Sequence, residues 1–227
     1  LASALALGEI HSDSLYIQRG IPIKKANGKP RPIAQDEPLK KIGSFIARKA
    51  AMIELADCLG VNQLAIGTKG GCETIPHACR EKLKQPDMIL VDFDITDAFN
   101  NADVIKIKHK VKEDVPTLYP YVNQTINKKR TVTFQDYKNN KTLVLHSNSG
   151  LTQGDGLSPG LFSLSHVDMD KLLIEKHKEV AQYYFADNVD AVGRYDKTLV
   201  WAKDYINKLQ VDTNYKLGTK RVFIPHR

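Results

Sequence analysis

Gly150-Leu151-Thr152-Gln153-Gly154-Asp155-Gly156-Leu157-Ser158-Pro159 is the stretch on which the reading of this chain turns. Its glycines let backbone approach a flat partner closely, and Gln153 offers a donor and an acceptor at the edge of the turn. Ser158 and Pro159 read as the N-cap and first residue of a helix. Leu161, Phe162, Leu164, Val167, Leu172 and Leu173 then supply its buried face, to an end near Lys178. An ordinary turn and cap account for Ser158 and Pro159 but not for the Gln153-Gly154-Asp155-Gly156 run.

Upstream, Met88 to Ile95 reads as an apolar strand carrying Asp92 and Asp94. Alternation puts these two and Thr96 on one face, with neighbours of the Leu90 type expected on the core side. Two carboxylates on one face of an apolar strand are costly unless a cation offsets them, although a strand end meeting solvent would satisfy them as well. Downstream, Gln182 to Val192 reads as strand, turn, strand, with Phe185-Ala186-Asp187-Asn188 at its tip, and Trp201 to Leu209 as a helix. Tyr183 and Tyr184, flanking that hairpin, fit the core better than a base-stacking role.

Towards the N-terminus, two short β-type runs flank Asn27-Gly28, a common two-residue hairpin signal, and Lys24, Lys25 and Arg31 make that hairpin basic. From Pro38, apolar residues Leu39, Ile42, Ile46, Ala50 and Ile53 recur at helical spacing until Gly60, predicting one helix with those residues as its buried face. Glu73 to Leu83 is a weaker helix, because Pro76 suits only a first turn. The Asp103 to Lys112 segment returns as a basic helix or loop. Thr131 to Phe134 and Thr142 to Leu145 alternate as a second hairpin around 138–141. Helices and strands alternate irregularly with antiparallel hairpins between them, so the fold class is α+β.

The totals narrow the function. At 227 residues and 42% hydrophobic content the chain can bury a sizeable core, as one large domain or as two interleaved lobes. Cys58, Cys72 and Cys79 have neither zinc-ligand nor redox-dithiol spacing and read as core thiols of a reducing, intracellular compartment. The seven histidines have no metal-binding spacing. No apolar run approaches the roughly 20 residues that span a bilayer, so no membrane partner is expected. A chain that begins at Leu1 is expected to be a piece of something longer. The net charge of +7 is uneven: residues 1–50 carry nine Lys and Arg against four acids, residues 104–141 nine against three, and the rest are net acidic. Cationic walls with a separate carboxylate cluster suit a phosphate backbone and a divalent metal, and a lysine-rich solvated surface would give the same totals.

In order and content, the stretches at 91–99, 150–159 and 184–188 resemble the palm motifs of reverse transcriptases, closest to those of non-LTR retroelements. The resemblance spans about residues 20–224. It implies a right-hand palm, an antiparallel sheet packed on helices, with a basic fingers subdomain and no recognised thumb. Residues 1–86 would be mainly fingers, 87–103 palm, 104–148 a basic connection with its hairpin, and 149–227 palm.

The same resemblance assigns roles. Asp94 and Asp187 become the catalytic ligands of two Mg²⁺ ions, with Mn²⁺ as a substitute. Asn188 stands where the family usually has a second aspartate, which predicts weakened catalysis. The backbone at Asp97 and Ala98 cradles a triphosphate, Phe99 excludes a 2′-hydroxyl, and Gln153 meets the base. Lys24, Lys25 and Arg31 hold phosphates, and Lys220, in Leu217-Gly218-Thr219-Lys220, approaches the pyrophosphate. Gly154 and the Lys69-Gly70 turn meet nucleic acid, although a plain helix-entry loop also explains Lys69-Gly70. The implied partners are an RNA template, a DNA or RNA primer and a dNTP, with a thumb supplied by a longer chain or a partner.

Two other readings stand beside this one. Loss of one aspartate suits a polymerase-derived RNA-binding or assembly scaffold, and an RNA-directed RNA polymerase shares the palm chemistry but conflicts with Phe99.

Overall fold

The computed structural model describes residues 1–10, 12–24, 28, 30–126, 128–213 and 215–225. The chain forms two compact units, each built from two separate segments: Leu1–Glu54 with Phe99–Leu161, and Leu55–Ala98 with Phe162–Arg227.

In the first unit, β1 (Ile17–Lys24) and β2 (Pro30–Gln35) form the expected basic hairpin. Its Lys25 and Asn27 lie outside the described residues. β4 (Arg130–Asp136) and β5 (Lys141–Ser147) form the second hairpin, and β1 joins the two by pairing in parallel with β4, giving the order β2-β1-β4-β5. The helices of this unit are α1 (Ala2–Ala6), α2 (Pro38–Ala50), α5 (Val104–Asp114) and α6 (Tyr119–Thr125). Asp103 caps α5, accepting from the N–H groups of Ile105 and Lys106 at 3.0 Å each.

The helix predicted from Pro38 to Gly60 is two helices, α2 and α3 (Met52–Leu59), interrupted at Ala51. Its orientation also reverses the expectation. α2 buries Lys40, Gly43, Ser44 and Ala47, while Leu39 and Ile42 are exposed. The physical reason is close packing: a Cβ at Gly43 would lie 3.1 Å from Leu5 Cβ and 3.5 Å from the Tyr121 ring, so small residues admit α1 and α6 on that side.

The buried polar side of α2 is satisfied by a network. Lys40 Nζ donates to Asp36 Oδ1 at 2.6 Å, Gln18 Nε2 donates to the same oxygen at 2.6 Å, and Gln18 reaches Thr152 Oγ1 at 3.2 Å. Arg130 donates to Thr152 Oγ1 at 3.1 Å and to the Ser149 carbonyl. Burial lowers the Arg130 pKa, with Asp36 and Asp155 opposing the shift.

The second unit is an antiparallel sheet in the order β6 (Ala181–Phe185), β7 (Asn188–Arg194), β3 (Met88–Ile95), β8 (Leu217–Phe223). β3 buries Val91, Phe93 and Ile95 on one face, where Phe93 stacks on Trp201 and Tyr205 of α9 (Tyr195–Thr213) at 5.7 and 5.6 Å. Leu90 therefore shares the face of Asp92 and Asp94, contrary to the expected division. There it packs with Val192, Ala181, Tyr183 and Phe185 against Leu64 and against Ile75 and Cys79 of α4 (Gly71–Leu83). α4 carries Pro76 in its second turn rather than its first, and Cys72, four residues before the proline, is exposed and not a core thiol.

The helix expected from Ser158 to Lys178 is α7 (Ser158–Leu164) followed by α8 (Val167–Lys176), and Leu172 is exposed. Among the described residues no helix is long and apolar enough to cross a membrane.

Candidate active site

The carboxylate end of the site is built on the open face of β3 and its neighbours in the second unit. Along that face the ladder stacks three rows. The first is Ala181, Val192, Leu90 and Phe223; the second Tyr183, Asp190, Asp92 and Arg221; the third Phe185, Asn188, Asp94 and Thr219. The face thus runs from an apolar row under α4 to a polar row at the end of β3.

Asp94 stands directly opposite Asn188, and the Ile95 N–H donates to the Asp187 carbonyl at 3.0 Å. These contacts bring Asp94 and the tip of the β6–β7 hairpin to one end of the sheet. Ala186 adopts φ 54°, and the turn is held by Gln63, which the sequence did not single out. The buried Gln63 side chain accepts from the Ala186 and Ala65 N–H groups at 3.2 Å each and donates to Ser163 Oγ at 3.0 Å. Backbone bonds from Leu64 N–H to Tyr184 O (2.8 Å) and from Tyr184 N–H to Asn62 O (2.9 Å) fix the segment beside β6.

On the other side of Asp94 the β3–β8 register slips between Asp94 and Ile95, placing Gly218 at the irregularity. A Cβ there would lie 2.6 Å from Thr96 Oγ1 and 3.4 Å from Asp94 Oδ2, so glycine keeps the flank of the carboxylate open. Asp94 lies on this flank opposite Asn188, and carboxylate and amide oxygens are hard donors of the kind that suit Mg²⁺ or Mn²⁺. Among the described residues no three His, Cys, Asp or Glu side chains gather as a metal group.

Lys220 lies opposite Phe93, on the other face from Asp94. The cation on the carboxylate face is Arg221, whose Nη2 meets Asp92 Oδ2 at 2.5 Å. Across the ladder Asp190 has its pKa pushed up to about 6, first by burial and then by Asp92, with Arg221 pulling it down. Asp97 is exposed at φ 48° and Ala98 is buried. Gly70, at φ 70°, caps α4, and Lys69 beside it is exposed, so the helix-entry explanation describes that turn.

The glycine-rich turn belongs to the first unit. Gly150 has φ 65°, and a Cβ on it would stand 2.3 Å from the Asn100 carbonyl oxygen; the next residue, Leu151, donates to Phe99 O at 2.6 Å. The turn is thereby fixed to the backbone that carries Phe99, itself half-buried. At its far end Gly154 has φ 119° and faces the Ala34 carbonyl, and the Ala34 N–H donates to Gln153 O at 3.1 Å, joining the turn to β2. Lys24 and Arg31 stand opposite Pro30 and Ile23 in the hairpin, both exposed.

Ser158 does not cap α7, because its hydroxyl donates to Thr152 O at 2.7 Å. Asp155 supplies the cap instead. Its Oδ1 accepts from the Leu157 N–H at 2.9 Å and from Ser44 Oγ at 2.7 Å, while its carbonyl accepts from the Ser158 N–H.

Residues 23–211 match the family model described as reverse transcriptase (RNA-dependent DNA polymerase). No curated protein sequence is significantly similar to the chain. Among solved structures, apo telomerase of Candida tropicalis truncated from its C-terminal domain aligns over 96% of this chain and 52% of its own, at TM-score 0.63 and 14% identity. Apo telomerase of the same species aligns over 92% and 45%, at TM-score 0.66 and 13% identity. Candida albicans telomerase in complex with a TWJ fragment of telomeric RNA aligns over 92% and 43%, at TM-score 0.57 and 11% identity. At such identities the likeness establishes a shared fold, and the chain spans about half the length of these telomerase chains.

Proposed function

The chain belongs to the reverse transcriptase (RNA-dependent DNA polymerase) family, and from that premise we propose that it extends a primer with deoxynucleotides along an RNA template. The observation that carries this reading is the meeting of Asp94 with the Asp187-Asn188 tip beside Gly218. Asp94 and Asp187 would hold the Mg²⁺ ions, with the Asn188 oxygen as a neutral third donor. Bound there, Mg²⁺ would lower the pKa of a primer 3′-hydroxyl and neutralise charge on the leaving pyrophosphate.

The remaining steps belong to the chain's own residues. Gln63 holds the hairpin tip so that Asp187 is pre-positioned. Lys24, Lys25 and Arg31 grip the triphosphate, with arginine suited to two parallel contacts. The backbone at Asp97 and Ala98 supplies further phosphate contacts, and the Phe99 ring fills the space a 2′-hydroxyl would need. Gln153 hydrogen-bonds the base pair being formed, and Gly154 lets the turn that carries it pack closely on β2. On the carboxylate face Arg221, paired with Asp92, adds a cation in the row next to Asp94. An RNA template, a primer and a dNTP are the partners this reading requires, with a thumb from a longer chain or a second protein.

The test is primer extension on an RNA template with dNTPs and Mg²⁺, comparing the chain with Asp94→Asn. Extension that Asp94→Asn abolishes supports the reading. Extension that survives the substitution refutes it. The amide of Asn188, 3.4 Å from Asp187 Oδ1, favours a second reading, an RNA-binding scaffold without polymerase activity. RNA binding with no extension by the chain or by its Asn188→Asp variant would select it.

A further inference from the structure

α2 is mounted with its most apolar side outward. Leu39, Ile42, Phe45 and, beyond the break, Ile53 are 39, 46, 56 and 77% exposed, while Lys40, Gly43, Ser44 and Ala47 are buried. Leu39, Ile42, the adjacent pair Phe45 and Ile46, Lys49 and Ile53 follow one another at helical spacing of three or four residues, so the apolar groups form a stripe with Lys49 among them. Isolated exposed hydrophobic residues are ordinary; a contiguous stripe on an amphipathic helix marks a surface that something covers.

The charges say what covers it. Residues 38–53 contain no carboxylate; Lys49 lies within the stripe, and Lys41 and Arg48 lie along one side of it. Glu37 is committed to the N-terminus of α2, accepting from the Leu39 and Lys40 N–H groups at 2.7 and 3.3 Å. Glu54 is committed to Thr117, accepting from its N–H at 3.1 Å and from its hydroxyl. An apolar face with cations within it and along one side is complementary to an apolar segment that carries carboxylates. It is not complementary to itself, since two copies would bring like charges together. Single-stranded nucleic acid fits less well: three of the four exposed apolar side chains are aliphatic and offer no stacking surface, and Arg48 already sits over the Phe45 ring at 5.8 Å.

We infer that the outward face of α2 is a docking site for an acidic amphipathic helix, whose apolar residues cover Ile42, Phe45 and Ile53 and whose carboxylates meet Lys41, Arg48 and Lys49. The site is independent of the polymerase chemistry, and none of these residues belongs to the candidate active site.

The probe is a synthetic amphipathic helix with leucines along one side and glutamates on both flanks, compared with a lysine-flanked counterpart and with oligouridine RNA. Fluorescence anisotropy with the full chain should show the glutamate-flanked helix binding about tenfold or more tighter than the lysine-flanked one. Ile42→Ser with Phe45→Ser, and separately Lys41→Glu with Lys49→Glu, should each weaken it by about tenfold. Far-UV circular dichroism identical to the parent shows that both variants still fold. Equal affinity for the two peptides, or binding unchanged in the variants, overturns the inference. It is also overturned by oligouridine binding lost in the same variants, which makes this an RNA face, or by concentration-dependent dimers that Phe45→Ser dissolves, which makes it a contact between copies.

Discussion

Asp94 and Asn188 face each other across the β3–β7 ladder, one strand carrying a carboxylate and the other an amide at the same level. Such directly opposed side chains stand about 4.5–5.5 Å apart at Cβ, close enough to share one cation. Asparagine in that place keeps the shape and an acceptor oxygen while removing a negative charge.

Asn188→Asp should therefore strengthen metal binding. At limiting Mg²⁺ the variant should extend a primer faster by about tenfold, equivalent to ~1.4 kcal/mol, with the gap narrowing as Mg²⁺ rises. Primer-extension rates across a Mg²⁺ titration check this, and identical titrations for the two proteins would contradict it.

Gly218→Val should close the flank of Asp94. The added Cβ meets Thr96 Oγ1 at 2.6 Å, so either that hydroxyl or β8 must shift. The expected result is a fall in extension rate of about tenfold or more, measured with saturating dNTP so that the loss is seen in turnover.

Gln63→Leu should loosen the hairpin tip. It removes three hydrogen bonds and leaves the buried Ala186 N–H without its acceptor, at a cost of about 2–3 kcal/mol. Thermal unfolding should shift down by roughly 5–10 °C, and Gln63→Glu, which keeps an acceptor for Ala186, should lose less.

Asp190 makes stability depend on pH. Its carboxyl, ordinarily near 3.8, titrates at about 6 in the folded chain because burial and Asp92 disfavour the charge. The folded state therefore binds more protons between those values, so this group's contribution falls as pH rises through about 4 to 6, and the penalty is complete at pH 7. Asp190→Asn should be more stable than the parent at pH 7, on the order of 1 kcal/mol after allowing for partial solvent screening. The advantage should vanish below about pH 4, as thermal melts at the two pH values would show.

Lys40→Met should strand the buried Asp36 carboxylate, costing about 3–5 kcal/mol. Removing both charges with Lys40→Met and Asp36→Leu should recover part of that loss. Urea unfolding of the single and double variants measures the coupling between them.

The strand, turn and hairpin that carry the candidate residues were readable because their signals are local in sequence. The glycines of 150–156, the alternation around Asp94 and the aromatic hairpin before Asp187 each carry their geometry in a few residues. The orientation of α2 was not readable, because Gly43 and Ala47 are buried by the arrival of Leu5 and Tyr121, which no periodicity within α2 encodes. The face that Lys220 takes was not readable either, because it depends on how β8 is registered against β3, a property of two strands and not of one. Gln63 gave little signal because its partners, Ala186 and Ser163, are distant in the chain.

The interleaving of the two units also dictates when they can form during synthesis. β1 leaves the ribosome long before β4, its parallel partner at Thr131–Thr133, and β3 is made well before β7 and β8 exist. Asp36 and Lys40 likewise wait for Arg130 and Thr152 to complete their polar network. The nascent chain therefore carries two unfinished sheets at once until β4 and β5 emerge, and one, with β3 unpaired, until β7 and β8 follow. The exit of β8, rather than of either half, is the event that completes the second sheet, and a pause in translation before Leu217 prolongs its exposure to misassembly.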